Sequence, residues 1–166
     1  MILSLGNDRD RDPRTLFEAL RMLLQHLPGT RVVVQSRSNL DAPPGVEVFS
    51  SLSGPRVRDL YREASVVVVA TKQNLHVSGM TTVLEAMSSG RPVVLSGTPG
   101  AEDYVKHGET GYLVAPGQSS FLANAILDIL SQQHLLERMG AAAAAHVRAS
   151  HTEATMTRAL AEVLRQ

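Results

Sequence analysis

Residues 71–94 read Thr-Lys-Gln-Asn-Leu-His-Val-Ser-Gly-Met-Thr-Thr-Val-Leu-Glu-Ala-Met-Ser-Ser-Gly-Arg-Pro-Val-Val, and they gather the groups best placed to do chemistry. A polar loop closes in Ser78-Gly79, and a helical pattern runs from Thr81 to Ser88. The first N–H groups of a helix lack partners inside it and sit at the positive end of its dipole, so such a junction is a ready anion site. Gly79 lets the backbone approach a phosphate closely, and Thr81 and Thr82 add hydroxyl donors. Glu85 lies three and four residues beyond them, on a shared helix face. A carboxylate there suits two adjacent hydroxyls such as a ribose diol. Phosphate on the amides and ribose on the glutamate together describe a nucleoside diphosphate. Each piece also has a plain reading: Ser78-Gly79-Met80-Thr81 as an ordinary helix cap, and Glu85 as a solvated charge.

The elements that must position these groups can be read from hydrophobic patterning. Ile2–Leu5, Arg31–Gln35, Val46–Phe49, Ser65–Ala70 and Pro92–Ser96 are short β-branched runs, with a sixth at Tyr112–Val114. Several are continuously apolar, as in strands of a parallel sheet buried on both faces. Helical patterns lie between them. Asp12-Pro13 is an N-cap followed by proline at the first helical position, and Leu16, Phe17, Leu20, Leu23, Leu24 and Leu27 then form one face, stopped by Pro28-Gly29. Pro55 opens a second helix, Thr81–Ser88 makes a third and Ala101–Lys106 a short fourth. Three more follow Pro116-Gly117: Phe121–Leu130, Leu135–Val147 and Thr152–Leu164, the last with a capping box at Ser150 and Glu153. The alanines at 141–145 read as plain helix filling. Alternating strands and helices imply an α/β fold: a Rossmann-like, doubly wound parallel sheet of about six strands, helices on both faces and a helical C-terminal tail. Ligands then bind at the carboxyl ends of the strands, in the loops at Gly6–Asp12, Ser36–Gly45, Ser50–Gly54, Thr71–Met80 and Gly97–Gly100.

Composition narrows the chemistry. The 166 residues suit one domain with its own core, and 16 Lys+Arg balance 16 Asp+Glu, which argues against a nucleic-acid partner bound through bulk charge. Without cysteine there is no thiol catalysis and no Cys-based zinc site. No pair of acidic or histidine residues is singled out for a metal, and neither metal nor cofactor is expected. The longest apolar run, Val66–Ala70, is far short of the ~20 residues of a membrane span. The opening MILSLGNDRD lacks the pattern of a signal peptide, so a cytoplasmic location is expected.

Ser78–Val94, continued by Thr98–Val105, His107–Val114 and Pro116-Gly117, resembles the donor-binding half of the family-four retaining glycosyltransferases, which have the two-Rossmann-domain GT-B fold. Ile2–Leu24 and Leu60–Ala70 resemble the first strand–helix unit of that half and the helix and strand preceding its main motif, so the likeness covers nearly the whole chain. It implies that Glu85 holds the ribose of a nucleotide-sugar. Amides around Ser78, Gly79, Met80 and Thr81, with the Thr81 or Thr82 hydroxyl, would hold the diphosphate. Pro99-Gly100 falls in the turn after the fifth strand, and Asp103 at an acidic position of the following short helix. Two departures stand out. The family's Gly-Arg pair is Gly6-Asn7 here, so one or two of Arg9, Arg11 and Arg14 are expected to take the diphosphate, the alternative being a solvated loop. The first glutamate of the Glu-x7-Glu pattern is also missing: eight residues before Glu85 stands Val77, and anchoring on Gly79 puts His76 in that position, as a donor-sugar contact.

The resemblance further implies transfer of a glycosyl group from a UDP- or GDP-sugar to an acceptor hydroxyl, with retention and without a metal. Residues 1–166 would be one nucleotide-sugar-binding domain, with the acceptor-binding N-terminal domain absent and the final helix packing back toward it. Any association with the inner face of a membrane would run through that missing half. Two alternatives remain: a non-catalytic nucleotide-sugar-binding module that regulates a partner, and a domain related to sugar epimerases.

Overall fold

The structure, a computed structural model, describes residues 1–165. The apolar runs form six short strands: β1 (Ile2–Ser4), β2 (Val32–Gln35), β3 (Val46–Phe49), β4 (Val66–Val69), β5 (Val93–Ser96) and β6 (Gly111–Val114). They make one sheet in the order β3-β2-β1-β4-β5-β6, and every pairing is parallel. Successive side chains of a strand point to opposite faces. Ile2, Val32, Val34, Val66 and Val68 therefore enter one core, and Leu3, Val33, Val67 and Val69 the other. Both faces are covered, so all four valines of β4 are fully buried.

The described residues form six helices, α1 (Pro13–His26), α2 (Gly54–Glu63), α3 (Met80–Ser88), α4 (Ser119–Ser131), α5 (Gln133–Ser150) and α6 (Glu153–Val163), of which the first five cover the sheet. Helices α1 and α4 pack on the first face; α2, α3 and the second half of α5 pack on the other. The α1 start follows the sequence reading: Thr15 N–H donates to Asp12 Oδ1 at 3.1 Å and the Thr15 hydroxyl to Asp12 Oδ2 at 2.6 Å, with Pro13 at the first position. Helix α5 comes close to the end of α3, where a Cβ on Gly140 would collide with the carbonyl of Gly90. Its alanines are not mere filler, because Ala143 is fully buried in the core beside α3.

Two local expectations are corrected. Ala101–Lys106 forms only a single 3-10 turn, Ala101–Asp103. The last capping box is made by Thr152 and Thr155, not Ser150 and Glu153. Helix α5 continues through Ser150, and Thr152 is the residue with extended backbone (φ −107°, ψ 159°), so its hydroxyl is the one aimed at the new helix.

Strand β1 lies between β2 and β4, and the chain winds outward in opposite directions from this pair. The carboxyl ends of β1 and β4 therefore flank the crevice at the topological switch point.

Candidate functional site

Two loops meet at that crevice. The loop after β1 is zipped to the loop after β4 by an antiparallel bridge between Arg11 and Thr71, by Asp12 N–H to the Ala70 carbonyl at 2.9 Å, and by Lys72 N–H to the Asp10 carbonyl at 2.8 Å. The second loop is held from within by Asn74, which is buried. Its Oδ1 accepts from Ser78 N–H at 3.1 Å and its Nδ2 donates to the Lys72 carbonyl at 2.9 Å. Val77 has φ +49°, an uncommon and costly conformation for a β-branched residue. It packs against the loop after β5, where a Cβ on Gly100 would lie 3.0 Å from Val77 Cγ2.

This loop delivers Gly79 as the N-cap of α3, with φ 92°. Within Ser78–Thr81 the cap is thus Gly79, which offers no side chain to the first amides of the helix. The leading amides of α3 face the crevice with the dipole unneutralised, which is the arrangement that favours an anion.

Arg11 lies directly across this helix start. A Cβ on Gly79 would stand 2.8 Å from its Nη1, and a Cβ on Gly6 2.8 Å from its Nε. The two glycines thus make the slot in which the guanidinium rests. Its Nη2 donates to Thr82 Oγ1 at 3.2 Å, while its Nε is buried without a partner. Burial lowers its pKa, with Asp8 and Tyr61 opposing, and an arginine so placed keeps its charge. An unpaired, oriented cation beside free amides is suited to bidentate anion recognition.

Glu85 is exposed one turn beyond Thr81, which is also exposed, so these two share a face as expected. Glu85 Oε2 accepts from the Tyr61 hydroxyl at 2.9 Å. Burial and that bond push the Tyr61 phenol well above its ordinary pKa, so Tyr61 stays a donor that fixes the carboxylate. A cavity of about 480 Å³ opens beside Glu85 between α2 and α3, lined also by Gly54, Val57, Arg58 and Tyr61. A second, of about 280 Å³, adjoins Arg11 and is lined by Gly6, Arg9, Arg37 and Lys72. A separate apolar hollow of about 560 Å³ lies against β6 and α4 and contains no member of this constellation.

Several expected roles shift. The Thr82 hydroxyl is buried and engaged by Arg11, which leaves Thr81 as the hydroxyl at the crevice. The Ser78 amide is spent on Asn74, so the available amides begin beyond it, at Gly79 and Met80. Arg9 is 86% exposed and pairs with Asp10 at 3.4 Å, and Arg14 is exposed on α1; the solvated-loop alternative describes both. His76 turns toward Asp10, with Nε2 3.3 Å from Asp10 Oδ2.

The sequence reading missed Asp8 and Asp10. Their carboxylates and the His76 imidazole bring one ligand-capable atom each to within 4.8 Å of one another. The Asp8 carboxyl is held below its usual range, chiefly by the Asp10 N–H, with Ser78, His76 and Arg11 adding to it. The signal available in the sequence was the Asp-x-Asp spacing immediately before Arg11. Tyr61 and Asn74 were missed as well, and nothing in their spacing marks them.

The family model for glycosyl transferases group 1 matches residues 11–146, which include α3, Glu85 and Arg11. The chain belongs to the group 1 glycosyl transferases. Among known members of the group, D-inositol 3-phosphate glycosyltransferase of Streptomyces griseus is 31% identical over 154 residues, covering 81% of this chain and 32% of the relative. Phosphatidyl-myo-inositol mannosyltransferase of Mycobacterium leprae is 41% identical over 66 residues, covering 40% and 18%. The chain thus spans about a third of the length of the longer-matching curated relatives. In structure it is similar to the C-terminal domain of a group 1 glycosyl transferase, LpcC, from Francisella tularensis (TM-score 0.77, 19% identity, 92% of this chain and 86% of that one). It is also similar to HepE of Anabaena, solved with UDP and glucose (TM-score 0.83, 19% identity, 99% and 47%). The fold is therefore that of a GT-B C-terminal domain. Among the described residues no helix is long and apolar enough to cross a membrane.

Proposed function

We propose that this chain is the donor-binding domain of a glycosyltransferase, holding a UDP- or GDP-sugar whose glycosyl group passes, with retention, to an acceptor hydroxyl. The observation that carries the reading is the Arg11 guanidinium lying across the side-chain-uncapped N-terminus of α3 in a slot made by Gly6 and Gly79. The diphosphate takes the amides after Ser78, the Thr81 hydroxyl and Arg11, and the ribose takes Glu85. As the bond from the sugar to the diphosphate breaks, negative charge grows on the leaving oxygen. Oriented amides and a fixed cation stabilise it without reorganising. The family resemblance implies that the transfer runs without a metal, which keeps the leaving-group role with Arg11 and the amides of α3.

The domain works with an acceptor-binding partner domain, at or near the cytoplasmic face of a membrane through that partner. Helix α6 supports the pairing: it buries none of its residues, and Met156, Leu160, Val163 and Leu164 form an exposed apolar stripe at helical spacing. The nucleotide-sugar is a co-substrate, and no organic cofactor is involved. Calorimetric titration with UDP, GDP, ADP and their sugars tests the reading. One uridine or guanosine series should bind, and Glu85→Ala should weaken ribose-containing ligands; binding unchanged in that variant removes Glu85 from the site.

A further inference from the structure

Arg37 and Lys72 stand outside the cradle described above. They come from the loops after β2 and β4, yet both line the cavity of about 280 Å³ that adjoins Arg11. Both are exposed, and neither has an ion-pair partner among the described residues. Arg9 and Arg11 line the same space, against the single carboxylate of Asp8. The acids at hand are already engaged: Asp8 accepts from the Asp10 N–H at 2.9 Å, and Asp10 faces Arg9 at 3.4 Å and His76 at 3.3 Å. Scattered surface cations need no explanation. Cations that converge from separate loops on one concave space focus their field there and raise the local concentration of anions.

We propose that Arg37 and Lys72 hold a second anionic group, a phosphate or carboxylate distinct from the donor diphosphate, carried by the transferred sugar or by the acceptor. The inference rests on the donor-site reading above and names its substrate class: a reacting pair that is acidic beyond the diphosphate. The cavity beside Glu85 lies between α2 and α3, helices of the second face, whereas this one is bounded by Pro13 at the start of α1, a helix of the first face. Arg11 joins the two sides: its Nη2 donates to Thr82 on α3, and its side chain lines the α1-side cavity. A nucleotide-sugar carries its ribose and its glycosyl group at opposite ends of the diphosphate. With the ribose on Glu85 and the diphosphate on Arg11, the reacting end falls on the α1 side, where Arg37 and Lys72 stand. A guanidinium fork and an ammonium give an acidic group two charge-assisted contacts that a neutral hexose lacks.

A second observation points to the same place. Arg11, which lines this cavity, keeps a buried Nε with no hydrogen-bond partner, so the wall itself carries an unmet demand for an acceptor atom. The two outer cations also spring from fixed backbone. Lys72 is pinned on both sides, its N–H donating to the Asp10 carbonyl at 2.8 Å and its carbonyl accepting from Asn74 Nδ2 at 2.9 Å. Arg37 sits between Ser36, whose N–H donates to the Phe49 carbonyl at 2.9 Å, and Ser38, whose N–H donates to Ser36 Oγ at 3.1 Å. Anchoring of this kind lowers the ordering cost of binding an anion between them.

The test is calorimetry on the full chain at one ionic strength. Inorganic phosphate is titrated into UDP-saturated protein, and UDP-glucuronate is compared with UDP-glucose. The chain should bind one further phosphate beside UDP, or take UDP-glucuronate about tenfold more tightly than UDP-glucose. Arg37→Met and Lys72→Met should each weaken that second anion by about tenfold, a larger factor than either costs UDP. Both side chains are exposed, so the variants keep the fold, as circular dichroism would show. A preference for UDP-glucuronate puts the acidic group on the transferred sugar; phosphate binding without that preference puts it on the acceptor. If UDP binds but the chain takes no further phosphate and treats the two sugars alike, or if the double variant behaves as wild type, the cations are merely solvated and the proposal is overturned, with the donor site intact. Phosphate that only displaces UDP overturns it as well, because the cavity is then part of the diphosphate site. If UDP fails to bind while phosphate binds wild type and not the double variant, the anion site stands and the donor reading fails.

Discussion

Replacing Gly6 by alanine probes how tightly Arg11 is seated. A Cβ at Gly6 would stand 2.8 Å from Arg11 Nε and 2.9 Å from Cζ, at a backbone φ of 118°. The backbone term costs ~1–2 kcal/mol for a residue with a Cβ. The collision can be relieved only if Arg11 swings aside and gives up Thr82 Oγ1, a hydrogen bond to a charged donor worth ~1.5–3 kcal/mol. Gly6→Ala should therefore destabilise by ~2.5–5 kcal/mol. In an Arg11→Ala background the guanidinium is gone and only the backbone term remains, ~1–2 kcal/mol. Urea unfolding of wild type, both single variants and the double variant closes the cycle, with a coupling of ~1.5–3 kcal/mol expected. Equal Gly6→Ala costs in the two backgrounds would show that Arg11 does not occupy the slot.

Gly140→Ala should lower the melting temperature by roughly 2–12 °C, from ~1–3 kcal/mol of overpacking against the Gly90 carbonyl in a chain of this size, as scanning calorimetry would show. His151 stacks on Tyr104 at 5.1 Å and lies 3.3 Å from His146 Nε2; burial first, then His146, lowers its pKa below 6.5, with Lys106 in the same sense and Asp103 opposing. The unfolded chain then binds the extra proton more readily, so stability is full above pH 6.5 and falls as pH drops through that value to the folded pKa. His151→Gln should flatten that limb of the stability–pH curve, and an unchanged slope would refute the assignment. Asp12→Ala should cost ~1 kcal/mol in the same urea assay by removing the α1 cap.

The sheet was legible because burial on both faces writes itself as unbroken valine runs such as Val66–Val69, and α1 because Asp12-Pro13 and Pro28-Gly29 punctuate it. The strand–glycine–helix junction at Gly79 was legible for the same local reason. What escaped depends on contacts across long stretches of chain. That Thr82 serves Arg11 rather than a phosphate follows from a bond spanning 71 residues, and that Glu85 is fixed by Tyr61 from one spanning 24. The Asp8–Asp10–His76 grouping exists only because the loops after β1 and β4 are zipped together. Among three neighbouring arginines, only the backbone path of that loop decides that Arg11 turns inward and Arg9 outward.

The most direct measurement compares UDP with uridine by calorimetry for wild type, Arg11→Met and Arg9→Ala, each checked for folding by circular dichroism. Arg11→Met should weaken UDP by about tenfold or more, the loss of one charge-assisted contact worth ~1.5–3 kcal/mol, and leave uridine unchanged. Arg9→Ala should alter neither ligand appreciably. If Arg11→Met weakens UDP and uridine equally, or neither, the diphosphate does not sit on Arg11 at the start of α3, and the account of this site is wrong.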